Sequence, residues 1–262
     1  MREKNRGLLV FTFLVYLFLL GPLLVISVTS FEAGNVLKFP PENFSLKWYE
    51  NIFKVEMFFT TFKTSMLVSF AGNLFALLLG VPAAYALSRF DFKGKDLLNG
   101  IFVSPILIPG IVLGFTFLRY LVVAYQLPVY TALFVGHTVI MLPFIIRVIA
   151  SSLANFDFSI EEAAESLGAS KLGTFFKIVL PNIKSGILAA VMIAFLESFN
   201  NVDISVFLTG PGVSTLPIQM LTYVENYFDP TIAAISVLLM ILTGFLMFII
   251  ERLMGLSYFT NR

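Results

Sequence analysis

Six long runs of apolar residues constrain the fold of this chain more than any other feature of its sequence. They lie at about residues 8–28, 64–87, 97–118, 129–149, 186–208 and 231–250. A helix needs about 20 apolar residues to cross a bilayer, and inside lipid only helices and closed barrels satisfy every backbone hydrogen bond. Runs of this length predict an all-α, polytopic membrane protein with six transmembrane helices, forming a single transmembrane domain over residues 1–262.

Composition supports a membrane protein and excludes several functions. Only 13% of the 262 residues are charged, against about 25% in soluble domains. There is no cysteine and His137 is the only histidine, so a thiolate metal site, a cysteine nucleophile or a histidine triad with spare partners is hard to build. A net charge of +1 gives no case for nucleic acid. We expect no catalytic residue, metal or cofactor held by this chain.

The N-terminus predicts an uncleaved first span. Arg2, Lys4 and Arg6 precede an apolar run of about 21 residues, whereas a signal peptide has an apolar core of about 7–15 residues and a small-residue cleavage site. With the N-terminus inside, twelve of the seventeen basic residues fall in inner segments. The positive-inside rule then predicts both termini in the cytosol of a bacterial or archaeal cell, with the chain in its inner membrane.

The inner loop at residues 157–181 predicts a helical hairpin. Ser159 and Glu162 have the spacing of a capping box, Gly168 suits the left-handed position that ends a helix, and Ser170 can cap a second helix that Pro181 closes. Each helix has apolar residues at i, i+3, i+4 and i+7 on one face: Ile160, Ala163, Ala164 and Leu167 in the first, and Leu172, Phe175, Phe176 and Val179 in the second. We name this segment the EAA-like loop.

The EAA-like loop resembles the EAA loop of permease subunits from binding-protein-dependent ABC importers. The family pattern is EAA, three residues, Gly, nine residues, Ile, any residue and Leu-Pro. Every spacing is kept here, by Glu162, Ala163, Ala164, Gly168, Ile178, Leu180 and Pro181. In that family the loop inserts a coupling helix into a groove of a cytosolic ATPase. The resemblance implies a MetI-like type I importer fold, and an ATPase-coupling role for these residues and for Leu167, Ala169 and Ser170.

An ordinary amphipathic helix on the lipid headgroups is the alternative for this loop. Such helices usually carry Lys and Arg on the polar face, whereas this one carries Glu161, Glu162 and Glu165. The acidic face favours docking onto a protein.

Four polar residues at the end of the fifth run, Glu197, Asn200, Asn201 and Asp203, form what we name the acidic cluster. A carboxylate within the bilayer is costly unless it lines water or has a partner. One interpretation is that the cluster lines a pathway and attracts a cationic solute. The other is that the fifth helix ends near Leu196 and the cluster lies among the outer headgroups; a break at Leu208 is equally open.

This stretch and the EAA-like loop together resemble the PotC-like branch of these permeases, which import spermidine and putrescine. That branch carries an acidic S-F/M-D-D/E cluster followed by F-x-T/A-G-P; here Asn200 and Asn201 replace two acidic residues. The sequence FSLKWYENIF at residues 44–53 extends the likeness to the first outer loop. The resemblance implies a channel-forming subunit of an ATP-driven polyamine importer. The alternative solute is another small polar molecule such as 2-aminoethylphosphonate.

The chain is not expected to hydrolyse ATP itself, because the Walker A pattern GxxxxGK[ST] is absent from its sequence. The resemblance implies three partners: a second homologous, PotB-like permease, a homodimeric PotA-like ATPase that binds ATP and Mg, and an extracytoplasmic PotD-like binding protein. It implies that ATP binding draws two coupling helices together and turns the pathway outward, and that Glu162, Ala163 and Gly168 transmit force without doing chemistry.

Two other function classes were weighed. A membrane enzyme acting on lipid needs a nucleophile, base or metal cluster with suitable spacing, and the sequence offers none. A non-transporting membrane assembly protein predicts that solute uptake survives loss of the chain.

The remaining polar and aromatic residues have structural interpretations. His137 and Asn73 are interpreted as packing residues within spans. An interfacial aromatic belt accounts for Tyr85, Tyr120, Tyr125, Tyr130, Tyr223 and Tyr227. Short helices are expected at about residues 46–53 and 218–227. The first is expected at the surface, and the second either at the surface or as a re-entrant helix.

Overall fold

The computed structural model describes residues 6–254, and these are helical, with isolated β-bridges but no strand among them. The helices, in chain order, are α1 (Arg6–Thr29), α2 (Lys47–Lys54), α3 (Glu56–Arg89), α4 (Lys95–Leu107), α5 (Gly110–Phe117), α6 (Val129–Ala154), α7 (Ser159–Ser166), α8 (Lys171–Thr174), α9 (Leu180–Asn182), α10 (Lys184–Phe199), α11 (Leu216–Asn226) and α12 (Thr231–Met254). Two π-helical stretches, Leu118–Ala124 and Phe175–Val179, continue α5 and join α8 to α9. Both of the expected short helices are present, as α2 and α11.

The predicted all-α membrane fold is confirmed. Within the described residues α1, α3, α6 and α12 are long and apolar enough to cross a membrane, and six spans result if each of two bent helix pairs is one span. The first, second, fourth and sixth apolar runs lie on these four helices. The N-terminal residues Arg2 and Lys4 lie outside the described residues.

The third apolar run is broken. The axis turns by 99° between α4 and the helix that begins at Gly110. Pro109 has no amide hydrogen and disfavours a helical conformation in the residue before it, and Ile108 is accordingly extended, with φ −90° and ψ 129°.

The fifth apolar run is not one helix over residues 186–208. It begins two residues inside α10, which turns by 72° from the preceding helical segment, and α10 ends at Phe199. The helix therefore breaks at neither Leu196 nor Leu208, but between them. Asn200, at φ −92° and ψ 1°, starts a polar turn that replaces the last part of the run.

The described residues divide into two compact units, one of residues 6–60 together with 219–246, the other of residues 61–218 together with 247–254. In the first unit, the buried Glu32 organises the loop after α1. Its carboxylate accepts hydrogen bonds from the backbone N–H of Gly34 (2.7 Å) and of Glu42 (3.0 Å).

The second unit is built around α6. Met141, Ile145, Ile146 and Ile149 of this helix are almost completely buried, and they pack against the small residues Ala76 and Ala84 of α3, Ala190 and Ala194 of α10, and Val179 and Ile183. Small residues at helix contacts let the backbones approach closely. The EAA-like loop and the acidic cluster both lie in this unit.

Candidate functional site

The EAA-like loop forms the predicted hairpin. The N–H of Gly168 donates to the carbonyl of Glu165 (2.9 Å) and the N–H of Ala169 to that of Ala164 (3.0 Å), which is the Schellman arrangement. Gly168 has φ +92°, a left-handed conformation that glycine adopts without steric cost. Ser170 caps the next helix, because its hydroxyl accepts a hydrogen bond from the N–H of Gly173 (3.1 Å).

The predicted capping box of Ser159 and Glu162 is wrong. The side chain of Asp157 accepts the hydrogen bond from the N–H of Ser159 (2.9 Å), so the acidic side chain two residues before α7 does this work. That hydrogen bond lowers the pKa of Asp157 below its ordinary value. Glu162 instead contacts Arg89.

Glu161 anchors α7 to the end of α3. Its side chain is buried, and Oε1 accepts a hydrogen bond from the hydroxyl of Tyr85 (2.5 Å). Arg89 lies beside it, with Nε 3.6 Å from Glu161 Oε1, and its guanidinium donates to Glu162 Oε1 (2.8 Å). The sequence analysis missed both partners, since it assigned Tyr85 to an aromatic belt. The sequence signal for these contacts is Arg89, the basic residue at the end of α3.

Three large apolar residues at the tip of the hairpin point away from the protein. Leu167 is 90% exposed, Leu172 73% and Phe176 62%, and Ala163, Gly168, Ala169 and Ser170 are exposed beside them. Exposed apolar patches of this kind mark interaction surfaces.

The second half of the loop is built into the core. Val179 and Ile183 are buried among residues of α6, and Phe175 packs on the ring of Tyr85 with centroids 4.9 Å apart. Ala164, Ile178 and Leu180 are half-buried, and Pro181 is exposed. The loop thus has an exposed tip and a fixed base.

The acidic cluster lies at the break after α10. All four of its residues line one open cavity of 530 Å³, together with Ile193, Leu196 and Val202. The structure therefore brings together the residues that the sequence analysis grouped.

The two asparagines of the cluster are partly committed to the backbone. Asn200 Nδ2 donates to the carbonyl of Leu196 (3.0 Å), and Asn201 Oδ1 accepts from the N–H of Ile204 (3.0 Å). Asn201 therefore contributes to the turn that follows α10, and one acceptor of its side chain is used there.

Asp203 lies against the N-terminus of α5. A methyl group on Gly110 would lie 2.6 Å from Asp203 Cβ, so only glycine fits at this approach. A carboxylate near a helix N-terminus is stabilised by the partial positive charge there. Asp203 thus has a structural partner in addition to its exposure to the cavity.

Neither carboxylate of the cluster forms an ion pair within residues 6–254. The sequence has no Lys or Arg between Lys184 and Arg252. The cavity therefore has two carboxylates and no basic side chain paired with them among these residues. The same described residues contain no group of three or more His, Asp or Glu side chains that could hold a metal ion.

Asn73 joins two helices of the second unit. Its Nδ2 donates to the carbonyl of Val191 in α10 (2.8 Å), and the side chain is buried. This contact agrees with the packing interpretation of Asn73.

Comparison with known proteins defines the class to which this fold and site belong. The family model of binding-protein-dependent transport system inner membrane components matches residues 72–257, a segment that includes the EAA-like loop and the acidic cluster. The chain belongs to this family. It is a permease subunit of an ABC importer and not an enzyme.

Individual relatives match most of the chain. It is 29% identical over 230 residues to the spermidine/putrescine transport system permease protein PotC of Escherichia coli K12, covering 87% of this chain and 86% of that one. It is 28% identical over 254 residues to the putrescine transport system permease protein PotI of the same strain, covering 94% and 90%. It is 34% identical over 182 residues to the molybdate/tungstate transport system permease protein WtpB of Pyrococcus abyssi, covering 68% and 71%.

Solved structures share the fold. A chain of a bacterial ABC transporter that imports the acidic polysaccharide alginate superposes with a TM-score of 0.75 at 19% identity, covering 96% of this chain and 98% of that chain. A chain of the MetNI methionine ABC transporter gives 0.60 at 22% identity, covering 73% and 92%. The predicted MetI-like permease fold is confirmed.

Proposed function

We propose that this permease subunit forms part of the path of an importer for the polyamines spermidine and putrescine. The observation that carries the proposal is the acidic cavity after α10, where Glu197 and Asp203 have no basic partner among the described residues. Amines are protonated at neutral pH, so polyamines are polycations that such a cavity attracts. The similarity to PotC and PotI, permeases of spermidine/putrescine and putrescine transport systems, supports the same solute class.

The sign of the charge separates the candidate solutes. Two unit charges 4 Å apart interact by about 4 kcal/mol at an effective dielectric constant of 20, and the interaction is attractive for an ammonium and repulsive for an oxyanion. The cluster therefore disfavours molybdate, although WtpB shares the family. It disfavours 2-aminoethylphosphonate less strongly, because that solute also carries an amine.

The partners follow from the EAA-like loop. The exposed Leu167, Leu172 and Phe176 suit burial against another protein, and we assign this surface to a homodimeric, PotA-like ATPase that binds ATP and Mg. A second, PotB-like permease would complete the path, and a PotD-like binding protein would deliver the solute from outside. Both termini and the EAA-like loop are then cytosolic, and residues 1–262 act as one transmembrane permease domain.

Within this proposal the loop residues transmit force. Glu162, Ala163, Ala164, Leu167, Gly168, Ala169 and Ser170 form the contact with the ATPase. Ile178, Leu180 and Pro181 belong to the base that leads into α10. When ATP binding draws the two ATPase subunits together, the tip moves and the base carries the displacement toward the acidic cluster.

Uptake of radiolabelled solutes tests the function. Cells that carry or lack this gene are compared for spermidine, putrescine, 2-aminoethylphosphonate and molybdate uptake, and we expect loss of the two polyamine signals alone. Unchanged uptake of all four would contradict transport of these solutes, and loss of only an anionic solute would overturn the polyamine assignment.

Two variants then test the acidic cluster. Asp203→Asn and Glu197→Gln remove one charge each, and we expect about a tenfold lower spermidine uptake from each, the equivalent of ~1.4 kcal/mol. Glu225→Gln removes an exposed charge of α11 and serves as the matched control. Uptake that is equal in all three variants would place the cluster outside the path.

A further inference from the structure

His137 lies at the centre of a buried hydrogen-bond chain. The ring is 1% exposed, its Nδ1 lies 2.8 Å from Ser198 Oγ and its Nε2 lies 3.1 Å from Ser205 Oγ. Ser198 Oγ lies a further 3.0 Å from Ser69 Oγ of α3. Both ring nitrogens therefore have partners, and these partners lie on two different segments of the chain.

The two serines stand on opposite sides of the break after α10. Ser198 is the penultimate residue of α10, beside Glu197, and Ser205 belongs to the turn that returns after Asp203. The imidazole thus spans the interval that contains Asn200, Asn201 and Asp203. Along the turn itself, the N–H of Asn201 donates to the carbonyl of Ser198 (3.2 Å), and the imidazole adds a second link that joins the side chains of Ser198 and Ser205 directly.

One set of donor and acceptor assignments satisfies every side chain in this hydrogen-bond network. The hydroxyl of Ser205 donates to the carbonyl of Asn201 (2.8 Å), so Ser205 Oγ is the acceptor of a proton carried by His137 Nε2. In the neutral imidazole the other nitrogen is then an acceptor, which receives the hydroxyl proton of Ser198. Ser198 Oγ in turn accepts from Ser69. Each hydroxyl and each ring nitrogen has a defined role in a single neutral tautomer.

We propose that His137 is a positioning residue for the acidic cluster, which it holds by joining Ser198 to Ser205 across the break in α10. The expected effect on transport rests on the proposed function, whereas the hydrogen-bonded link between the two serines does not. The last residue of this hydrogen-bond network is Asn201. Its carbonyl accepts from the hydroxyl of Ser205, and its side chain accepts from the N–H of Ile204. We name this link from Ser198 through His137 to Ser205 the tether. It fixes the turn on which Asp203 faces the cavity.

The substitutions His137→Asn and His137→Gln each keep one of the two hydrogen bonds of the imidazole. An asparagine at 137 places its amide near the position of Nδ1 and can keep the contact with Ser198 only. A glutamine reaches the position of Nε2 and can keep the contact with Ser205 only. Thr138→Val is the control, because the neighbouring Thr138 hydroxyl bonds within α6 to the carbonyl of Phe134 (2.8 Å) and takes no part in the tether.

Cysteine labelling measures the tether without any transport assay. The chain has no cysteine, so Val202→Cys, at an exposed position in the cavity wall, provides the single thiol of this chain, and its labelling in the assembled complex is read on this subunit after the subunits are separated. We expect His137→Asn to raise its maleimide labelling rate by about tenfold, the effect of losing one buried hydrogen bond, and His137→Gln to raise it less. Thr138→Val should leave the rate unchanged. A thiol at Val224→Cys, also exposed, controls for the reactivity of an exposed position far along the sequence from the turn, and its labelling rate should stay constant.

The same variants measured for spermidine and putrescine uptake complete the test. We expect His137→Asn to change the ratio of the two uptake rates, because the cluster is displaced rather than removed. Equal labelling of Val202→Cys in all three backgrounds would overturn the tether. If His137→Asn lowers the yield of folded complex, Ser205→Ala, which removes the acceptor of Nε2 and the bond to Asn201, replaces it with the same expected and contradicting outcomes. Faster labelling in a complex that transports no polyamine would uphold the tether and refute the polyamine function alone.

Discussion

Glu161 and Glu162 are adjacent in the sequence and have opposite environments. Glu161 is 3% exposed and contacts Tyr85 and Arg89, whereas the Glu162 side chain is largely exposed. An ion pair at the surface contributes little, because water screens it, while removing a hydrogen-bond partner from a buried group leaves that group unsatisfied. The attachment of α7 to α3 therefore depends more on Glu161 than on the motif residue Glu162.

Removal of the Tyr85 hydroxyl tests this attachment. We expect Tyr85→Phe to lower the free energy of unfolding by about 1–3 kcal/mol, because Glu161 loses a buried donor. Tyr125→Phe removes a hydroxyl from a side chain that is 73% exposed and should have almost no effect. Thermal unfolding of the purified complex in detergent measures both. Equal midpoints for the two variants would show that the Tyr85 contact contributes no stability.

The inward position of Glu161 was beyond reach of sequence reasoning. Helical periodicity assigned the apolar stripe to one face and the three glutamates to another, and such a pattern implies that the apolar face is buried. Here Leu167 is exposed and Glu161 is buried. The reason is that the partners of Glu161 lie on α3, more than seventy residues earlier, and that the apolar face remains available for a partner.

At the scale of elements, local signals were sufficient for the hairpin. Gly168 and Ser170 have the conformations and bonds that their positions predicted, because caps depend on backbone groups a few residues away. The capping box failed because Asp157 competes for the same N–H group. The sequence left the end of the fifth helix open between Leu196 and Leu208, because apolar residues continue beyond the polar ones, and the structure ends α10 at Phe199.

A substitution at Gly168 tests the hairpin turn. Gly168→Ala places a side chain at φ +92°, which costs about 1–2 kcal/mol for a left-handed L-residue, and open space around the site means that this strain is the only penalty. We expect the turn to loosen, Leu167 to shift, and both uptake and recovery of the co-purified ATPase to fall.

Gly244→Ala is the matched control, because Gly244 also has open space around it but lies within α12 and has no positive φ. Alanine favours a helix over glycine, so this variant should transport normally. Normal uptake and ATPase recovery in Gly168→Ala would exclude a role for the left-handed turn in coupling.

At the scale of the whole molecule, the apolar runs were enough to predict an all-α membrane protein, because each run meets the length that a bilayer demands. They were not enough to locate the bends. The 99° turn at Pro109 interrupts the third run, and the 72° turn lies just before the fifth, but hydropathy contains no information on the direction of a helix.

The proposed orientation can be tested with the natural absence of cysteine. Glu42→Cys and Lys93→Cys place single thiols at exposed positions before and after α3, a helix of 34 residues and about 51 Å in length, enough to cross a hydrocarbon core of about 30 Å. A membrane-impermeant maleimide should label residue 93 only in inverted vesicles and residue 42 only in right-side-out vesicles. Labelling of both from one side would refute the span, and the opposite pattern would refute the orientation.

In the second unit, two helical arms meet at a bend at Ile183. One arm is the segment from Lys171 to Asn182 and the other is α10, and the two meet at 72°. The second arm has 16 residues and a length of about 24 Å, with the acidic cluster at its far end. A tilt of about 10° at this bend would therefore move that end by about 4 Å, so under the proposed function a small rotation beside the loop would displace the acidic cluster by about one atomic diameter.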